Sequence, residues 1–177
     1  MPRRPKQRHP EKLRAELISL LTDFEEKLRE GDLRRKVLAL LPAHELLRDL
    51  GSSLVPKEYA ASARDRILHY LVKYPRVVIN GNELMVVAGI GEWARRLREL
   101  RVQYGWPVIS GVTAKEMNAE GEWLLDVDVE TMGPDDYVLV NAEQDRDAAF
   151  RWNLANEIRK KKTDRKSTRL NSSHGKL

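Results

Sequence analysis

The sequence contains no cysteine. That absence excludes a disulfide scaffold, a thiol nucleophile and every zinc site built on thiolate ligands. Aromatic residues are scarce, at 6% with only two phenylalanines, so aliphatic side chains have to supply most of the core. No apolar run approaches the ~18–20 residues of a membrane span. The opening MPRRPKQRHPEK has charge but no apolar segment behind it, so it does not read as a secretory signal. A cytoplasmic protein is the expectation. Histidines are few (His9, His44, His69 and His174), and no two stand at metal-ligand spacing. A nucleophile elbow, a phosphate loop and a metalloprotease motif are all missing. No catalytic residue, cofactor-binding residue or metal ligand is therefore assigned to this chain.

What is present suits one compact domain or two small ones. The 177 residues are 41% hydrophobic and 33% charged, enough apolar material for a core under a charged, mostly helical surface. Net charge is +5, but its distribution is uneven. Residues 1–14 carry six Lys or Arg against one Glu, and residues 164–177 carry four against one Asp. Residues 111–136 carry eight acids against Lys115 alone, a net of −7. The segment DRKSTRLNSSH, from Asp164 to His174, has no apolar periodicity and looks like the translation of a sequencing-library adapter. On that reading residues 164–177 are an artefactual, disordered tail, and the chain is a fragment cut near Thr163. Removing the tail takes away +3 and leaves +2, so basicity has to be judged locally.

Helical spacing of Leu13, Leu17, Leu20, Leu21, Phe24 and Leu28 predicts a helix over 11–29, with Gly31 at its stop. Asp32 is the expected N-cap of a second helix through Leu41, and Pro42 is expected to open a third to Leu50, closed by Gly51. Residues 1–55 thus read as a helical unit whose long first helix is a candidate dimer element. From Ser62 the expected order is a helix ending before Pro75, a strand over 77–79, and a short helix over ELMVVAG capped by Asn80 or Asn82. A tight turn at Gly89–Gly91, a helix over 92–104, a strand in WPVISG, a wing and a strand in DYVLV follow. That is the order of a winged helix-turn-helix. The fold class is mainly α (α+β), with the winged unit over 56–143 and a small antiparallel β wing. An amphipathic helix is expected at 144–163.

The helix EWARRLRELRVQY carries the strongest functional signal. Its apolar stripe of Trp93 or Ala94, Leu97, Leu100 and Tyr104 faces the core, leaving Arg95, Arg96, Arg98 and Arg101 for an outer arc. Arginines there can clamp phosphates or reach guanine edges, which makes double-stranded DNA the expected partner. The alternative is a solvated charged face, since Glu99 is placed to pair with Arg95. A rival reading takes Gly89, Gly91 and Ala94 as a GxGxxA dinucleotide fingerprint, with LMVV as its strand. It lacks the acid that should end the next strand. Asp126, Asp128 and Glu130 alternate, and would share one face of any strand they form, but an exposed acidic wing explains them better than a metal site. Pro134 and Asp135 lack the downstream acid-x-lysine of a PD-(D/E)xK nuclease. The four tryptophans, Trp93, Trp106, Trp123 and Trp152, read as core anchors.

The stretches GDLRRKVLALLPAHELLRDLGSSLVP, EWARRLRELRVQYGWPVISG, MGPDDYVLV and RWNLANEIRKKK cover most of residues 30–162. On them the chain resembles the N-terminal region of bacterial, actinobacterial-type HNH endonucleases. The resemblance implies a winged-helix DNA-recognition region ahead of a nuclease module whose histidines and asparagine hold a divalent metal. That module has no counterpart in this sequence, so the resemblance carries no catalytic residue over to it. A stand-alone winged-helix transcription regulator is the alternative from another functional class.

Overall fold

Side-chain caps start most of the helices at positions the sequence marks. The computed structural model describes residues 8–29, 32–123, 125–151, 153 and 154. Helix α1 runs Pro10–Arg29 and α2 runs Leu33–Ser53. The Asp32 carboxylate accepts from the Arg35 amide at 3.0 Å, satisfying one of the orphan donors at the start of α2. Helix α3 spans Ala63–Lys73, where the Ser62 hydroxyl oxygen accepts from the Asp65 amide. Strand β1 is Ile79–Asn80, and α4 spans Gly81–Ala88 behind a full capping box. There the Asn80 side chain caps the helix, and the Asn80 amide donates to Glu83 Oε1 at 3.0 Å. Helix α5 is Trp93–Val102, β2 is Val108–Ser110, α6 is Gly111–Ala119 and β3 is Asp136–Leu139.

Two sequence expectations fail for tertiary reasons. The expected break at Pro42 is absent, because α2 is one helix with Pro42 inside it. An interior proline costs about 3 kcal/mol, and the residues that α2 buries from Ala43 onward work against that cost. Ala43 and Leu46 are buried in its middle, and Gly51 and Ser53 near its end. Gly51 is no stop signal. A Cβ on it would lie 2.5 Å from the Val86 carbonyl oxygen, so glycine lets α2 cross α4 at close range.

The wing is also replaced. Between β2 and β3 the chain forms α6 and a 3-10 turn at Val129–Thr131 instead of an open hairpin loop. Ala114, Val129, Met132 and Val138 make a small second core there, with Trp123 packed against it. Leu125, Val127 and Val129 turn inward while Asp126, Asp128 and Glu130 are exposed, so the alternation holds without a strand.

The sheet is antiparallel in the order β1-β3-β2, with Ile79 opposite Tyr137 and Ser110 also opposite Tyr137. The protein is thus mainly helical with a small three-stranded antiparallel sheet, as the sequence predicts. The main core joins Ile67 and Leu71 of α3, Leu84 and Ala88 of α4, Leu97 and Leu100 of α5, and Ile79, Val108 and Leu139 of the sheet. Residues 146–151, 153 and 154 are helical. The rest of the expected C-terminal helix, the tail 164–177, Gly31 and the Trp152 side chain lie outside the described residues. No described helix is long and apolar enough to cross a membrane.

Gly111 sits where β2 passes into α6, and a Cβ on it would lie 2.0 Å from the Gly133 carbonyl oxygen. Backbone must move to admit one. Gly111→Ala should lower unfolding free energy by about 1–3 kcal/mol. Gly91→Ala, which meets nothing within 4 Å, should stay within about 0.5 kcal/mol of the parent. Urea denaturation of both variants checks the contrast.

Candidate nucleic-acid interface

The site is built around the turn from α4 into α5. Gly89 ends α4 in the left-handed conformation, with φ of 63°, and its amide bonds back to Met85 and Val86 carbonyls. The last carbonyls of α4 still need donors, and two distant arginines supply them. Arg66 of α3 donates Nε to the Val87 carbonyl at 3.1 Å, Nη2 to Ala88, and Nη1 to Ala60 at 3.3 Å. Arg48 of α2 donates Nε to the Gly89 carbonyl at 3.0 Å. Positive charge at a helix C-terminus is favourable in its own right. Burial lowers the Arg66 pKa from its ordinary value, and the neighbouring Asp65 opposes that shift. Neither arginine stands out in the sequence, because each meets the carbonyls at the end of α4 across 21 to 41 residues of chain.

Helix α5 then lies on the core through Leu97 and Leu100, with relative exposures of 2% and 1%. Trp93 packs beside them and meets Tyr137 edge-on at 6.0 Å. The four arginines expected on one outer arc divide into two pairs. Arg95 and Arg98 are exposed, whereas Arg96 and Arg101 are half-buried, on opposite flanks of the buried stripe at ~3.6 residues per turn.

Glu99 accounts for part of this. Its side chain is only 13% exposed, and both its oxygens accept from Arg96 Nη1, at 2.7 and 2.9 Å. That contact raises the Arg96 pKa further. Arg95 Nε approaches the same carboxylate at 3.6 Å, the pairing expected from the sequence, but stays 69% exposed. Arg101 lies close enough to Tyr137 to oppose the rise that burial gives that phenol. Among the described residues Arg98 has no ion pair or side-chain hydrogen bond.

Other candidate groups are committed elsewhere. Asp136 accepts from Asn80 Nδ2 and from the Gly133 amide, both at 2.7 Å. Asp128 caps the 3-10 turn through the Glu130 amide at 3.1 Å. His69 stacks on Tyr59 at 4.1 Å. Among the described residues no group of three or more His, Asp or Glu could hold a metal ion. The dinucleotide reading fails on structure, because LMVV lies within helix α4 and not on a strand.

Residues 64–140 match the KpnI N-terminal domain family. The matched span opens in the first turn of α3 and closes one residue after β3, so it contains the anchored turn, α5 and the whole sheet. It is less than half of the chain, and α1 and α2 lie outside it. No curated protein and no solved structure matches the chain.

A cleft of about 520 Å³ lies between the end of α2, α3 and α4, and is lined by His69, Tyr70, Tyr74 and Glu83 among others. The Tyr70 hydroxyl donates to Glu83 Oε2 at 2.6 Å, while Glu83 Oε1 completes the capping box of α4. Hydrogen bonding to Glu83, with burial second, pushes the Tyr70 pKa up to about 12. A phenol whose folded pKa is raised contributes stability below its unfolded value near 10, and loses it as pH rises toward the folded value. The parent should therefore lose stability between about pH 10 and 12. Tyr70→Phe should lose less over that window, as read from urea midpoints at each pH.

Proposed function

We propose that this chain is a DNA-recognition region related to restriction endonucleases, and that it binds duplex DNA through α5 without cutting it. The observation that carries the reading is the position of Arg95 and Arg98. They face solvent on the helix after a doubly anchored turn, inside the span that matches the KpnI N-terminal domain. The element order α3, β1, α4, turn, α5, β2, β3 is read as a winged helix-turn-helix whose wing is replaced by α6 and its small core. In such a unit the second helix of the pair enters the major groove. The resemblance to the N-terminal regions of HNH endonucleases, carried by the sequence alone, points to the same class of parent enzyme.

The physical roles follow from the side chains. Arg98 has no carboxylate to leave and can neutralise a phosphate directly. Arg95 has only a 3.6 Å approach to Glu99 to give up, and its own side chain stays largely in solvent. Arg96, held by the shielded Glu99, serves chiefly to keep that carboxylate neutralised, with Arg101 at the edge of the sheet beside Tyr137. Arg96 thereby stops the helix from presenting a bare negative charge to the phosphates. Arg48 and Arg66 are positioning residues, since they fix the turn that aims α5.

Fluorescence anisotropy with duplex DNA at several salt concentrations tests the assignment. Arg95→Ala with Arg98→Ala should weaken binding and lower the log K against log salt slope by roughly 0.9 for each phosphate that is no longer neutralised. An arginine that reads a base should instead cost about 1–3 kcal/mol on one sequence and little on others. Binding unchanged at every salt concentration would remove α5 as the interface. Metal-dependent nicking that disappears in Asp126→Ala with Asp128→Ala would show that the chain itself cuts.

A further inference from the structure

We propose that the cleft between α3 and α4 binds a nucleotide, with guanine as the base it holds best. The two helices face each other across about 520 Å³, a volume within the range of small-ligand sites. Tyr70, Lys73 and Tyr74 line the cleft from the end of α3, Glu83 and Val86 line it from α4, and Leu54 closes it from the end of α2. The cleft shares no lining residue with α5, so the inference stands apart from the roles of Arg95 and Arg98.

Each part of a nucleotide finds a counterpart in this lining. The Tyr70 and Tyr74 ring centroids are 5.1 Å apart with the planes at 64°. A flat base laid against one ring meets the other edge-on, an arrangement that aromatic groups prefer. Leu54 and Val86 are 64% and 48% exposed, which leaves apolar surface for the second face of the base. Lys73 Nζ lies 5.8 Å from the Tyr74 ring centroid, placing a cation beside the aromatic wall. Among the described residues neither Lys73 nor Glu83 forms an ion pair. An ammonium without a carboxylate is free to meet a phosphate.

Glu83 selects the base. Its Oε2 accepts from the Tyr70 hydroxyl at 2.6 Å and its Oε1 from the Asn80 amide at 3.0 Å. The carboxylate is thereby fixed, while each oxygen keeps a further lone pair, and the residue is exposed. A carboxylate only accepts, so it favours a base edge that donates. Guanine presents N1–H and an amino group side by side, whereas adenine and cytosine present an amino group alone. Thymine sets a single N–H between two carbonyl oxygens. Other occupants match the lining less well. An organic cation would meet the ammonium of Lys73 at the aromatic wall. A purely apolar ligand would shield Lys73 and Glu83 from water and give neither a partner.

Amide chemical-shift titrations of the full chain with dGMP, dAMP, dCMP and dTMP test this. Millimolar dGMP should move the resonances of residues 69–74 and 82–87, and dTMP should bind at least several-fold more weakly. Tyr74→Ala should weaken dGMP by about five-fold or more, the lower end of what one stacked base contributes. Lys73→Met should weaken dGMP more than it weakens deoxyguanosine, which lacks the phosphate. Glu83→Gln keeps a side chain able to complete the capping box and should erase the preference for dGMP over dTMP. A duplex with a single-stranded guanine overhang, set beside its blunt counterpart, distinguishes the source of the nucleotide. Shifts at the cleft with the overhang and not the blunt end identify an unpaired nucleotide of DNA, and shifts with dGMP but neither duplex identify a free one. No movement at these residues with either dGMP or the overhang overturns the proposal, and so does dTMP binding as tightly as dGMP.

Discussion

The guanidinium of Arg66 is the contact on which the rest of the structure turns. It reaches from α3 to the carbonyls of Val87 and Ala88 at the end of α4, and to Ala60 ahead of α3. Those carbonyls sit where the chain reverses into α5, so whatever fixes them fixes the direction of the arginine helix. Burying a guanidinium is costly unless its donors are satisfied; three carbonyls receive them here. Arg48 adds a fourth carbonyl, Gly89, and ties the N-terminal hairpin to the same turn. The turn into α5 is thus held by cations that belong to α2 and α3.

Electrostatic roles divide in the same way across the molecule. Several arginines of α2, α3 and α5 are spent on carbonyls or on Glu99. Arg64 is committed to an aromatic ring instead, lying 4.4 Å from the Tyr104 ring centroid and donating to its hydroxyl at 2.5 Å. The acids of residues 111–136 divide likewise. Asp128 and Asp136 are caps and turn braces, while Asp126 and Glu130 sit on the outer side of a segment whose inner side is apolar. Counting charges along the chain therefore overstates both the basic face and the acidic one.

Local chemistry was legible wherever a residue acts on its own neighbours. Asp32, Ser62 and Asn80 cap the helices that follow them, as hydroxyl, amide and carboxylate oxygens within two or three residues of free amides should. The apolar stripe of α5 and the Glu99–Arg95 pairing were readable from helical spacing for the same reason. Helix α6 was not. GVTAKEMNA opens with glycine and two β-branched residues and buries only Gly111 and Ala114, so it offers no apolar period to detect. Its small residues are explained by the Gly133 carbonyl pressed against Gly111.

By itself, the sequence determined the mainly helical class, most helix starts, the order of strands along the chain and the buried face of α5. Each depends on interactions within about four residues or on a repeating period, and both are written in consecutive residues. Only the tertiary structure decided that α2 runs through Pro42, that Gly51 is a crossing point and that the β2–β3 connection is a packed layer. It also decided which arginines remain free. In each of these cases the deciding atom comes from a distant part of the chain: the Val86 carbonyl beside Gly51, the Gly133 carbonyl beside Gly111, the carbonyls of Val87 and Ala88 around Arg66. Glu99 is the exception that shows the limit of local reading. Its partners are three and four residues away, yet its shielding against the core is what ties it to Arg96 and leaves Arg98 open.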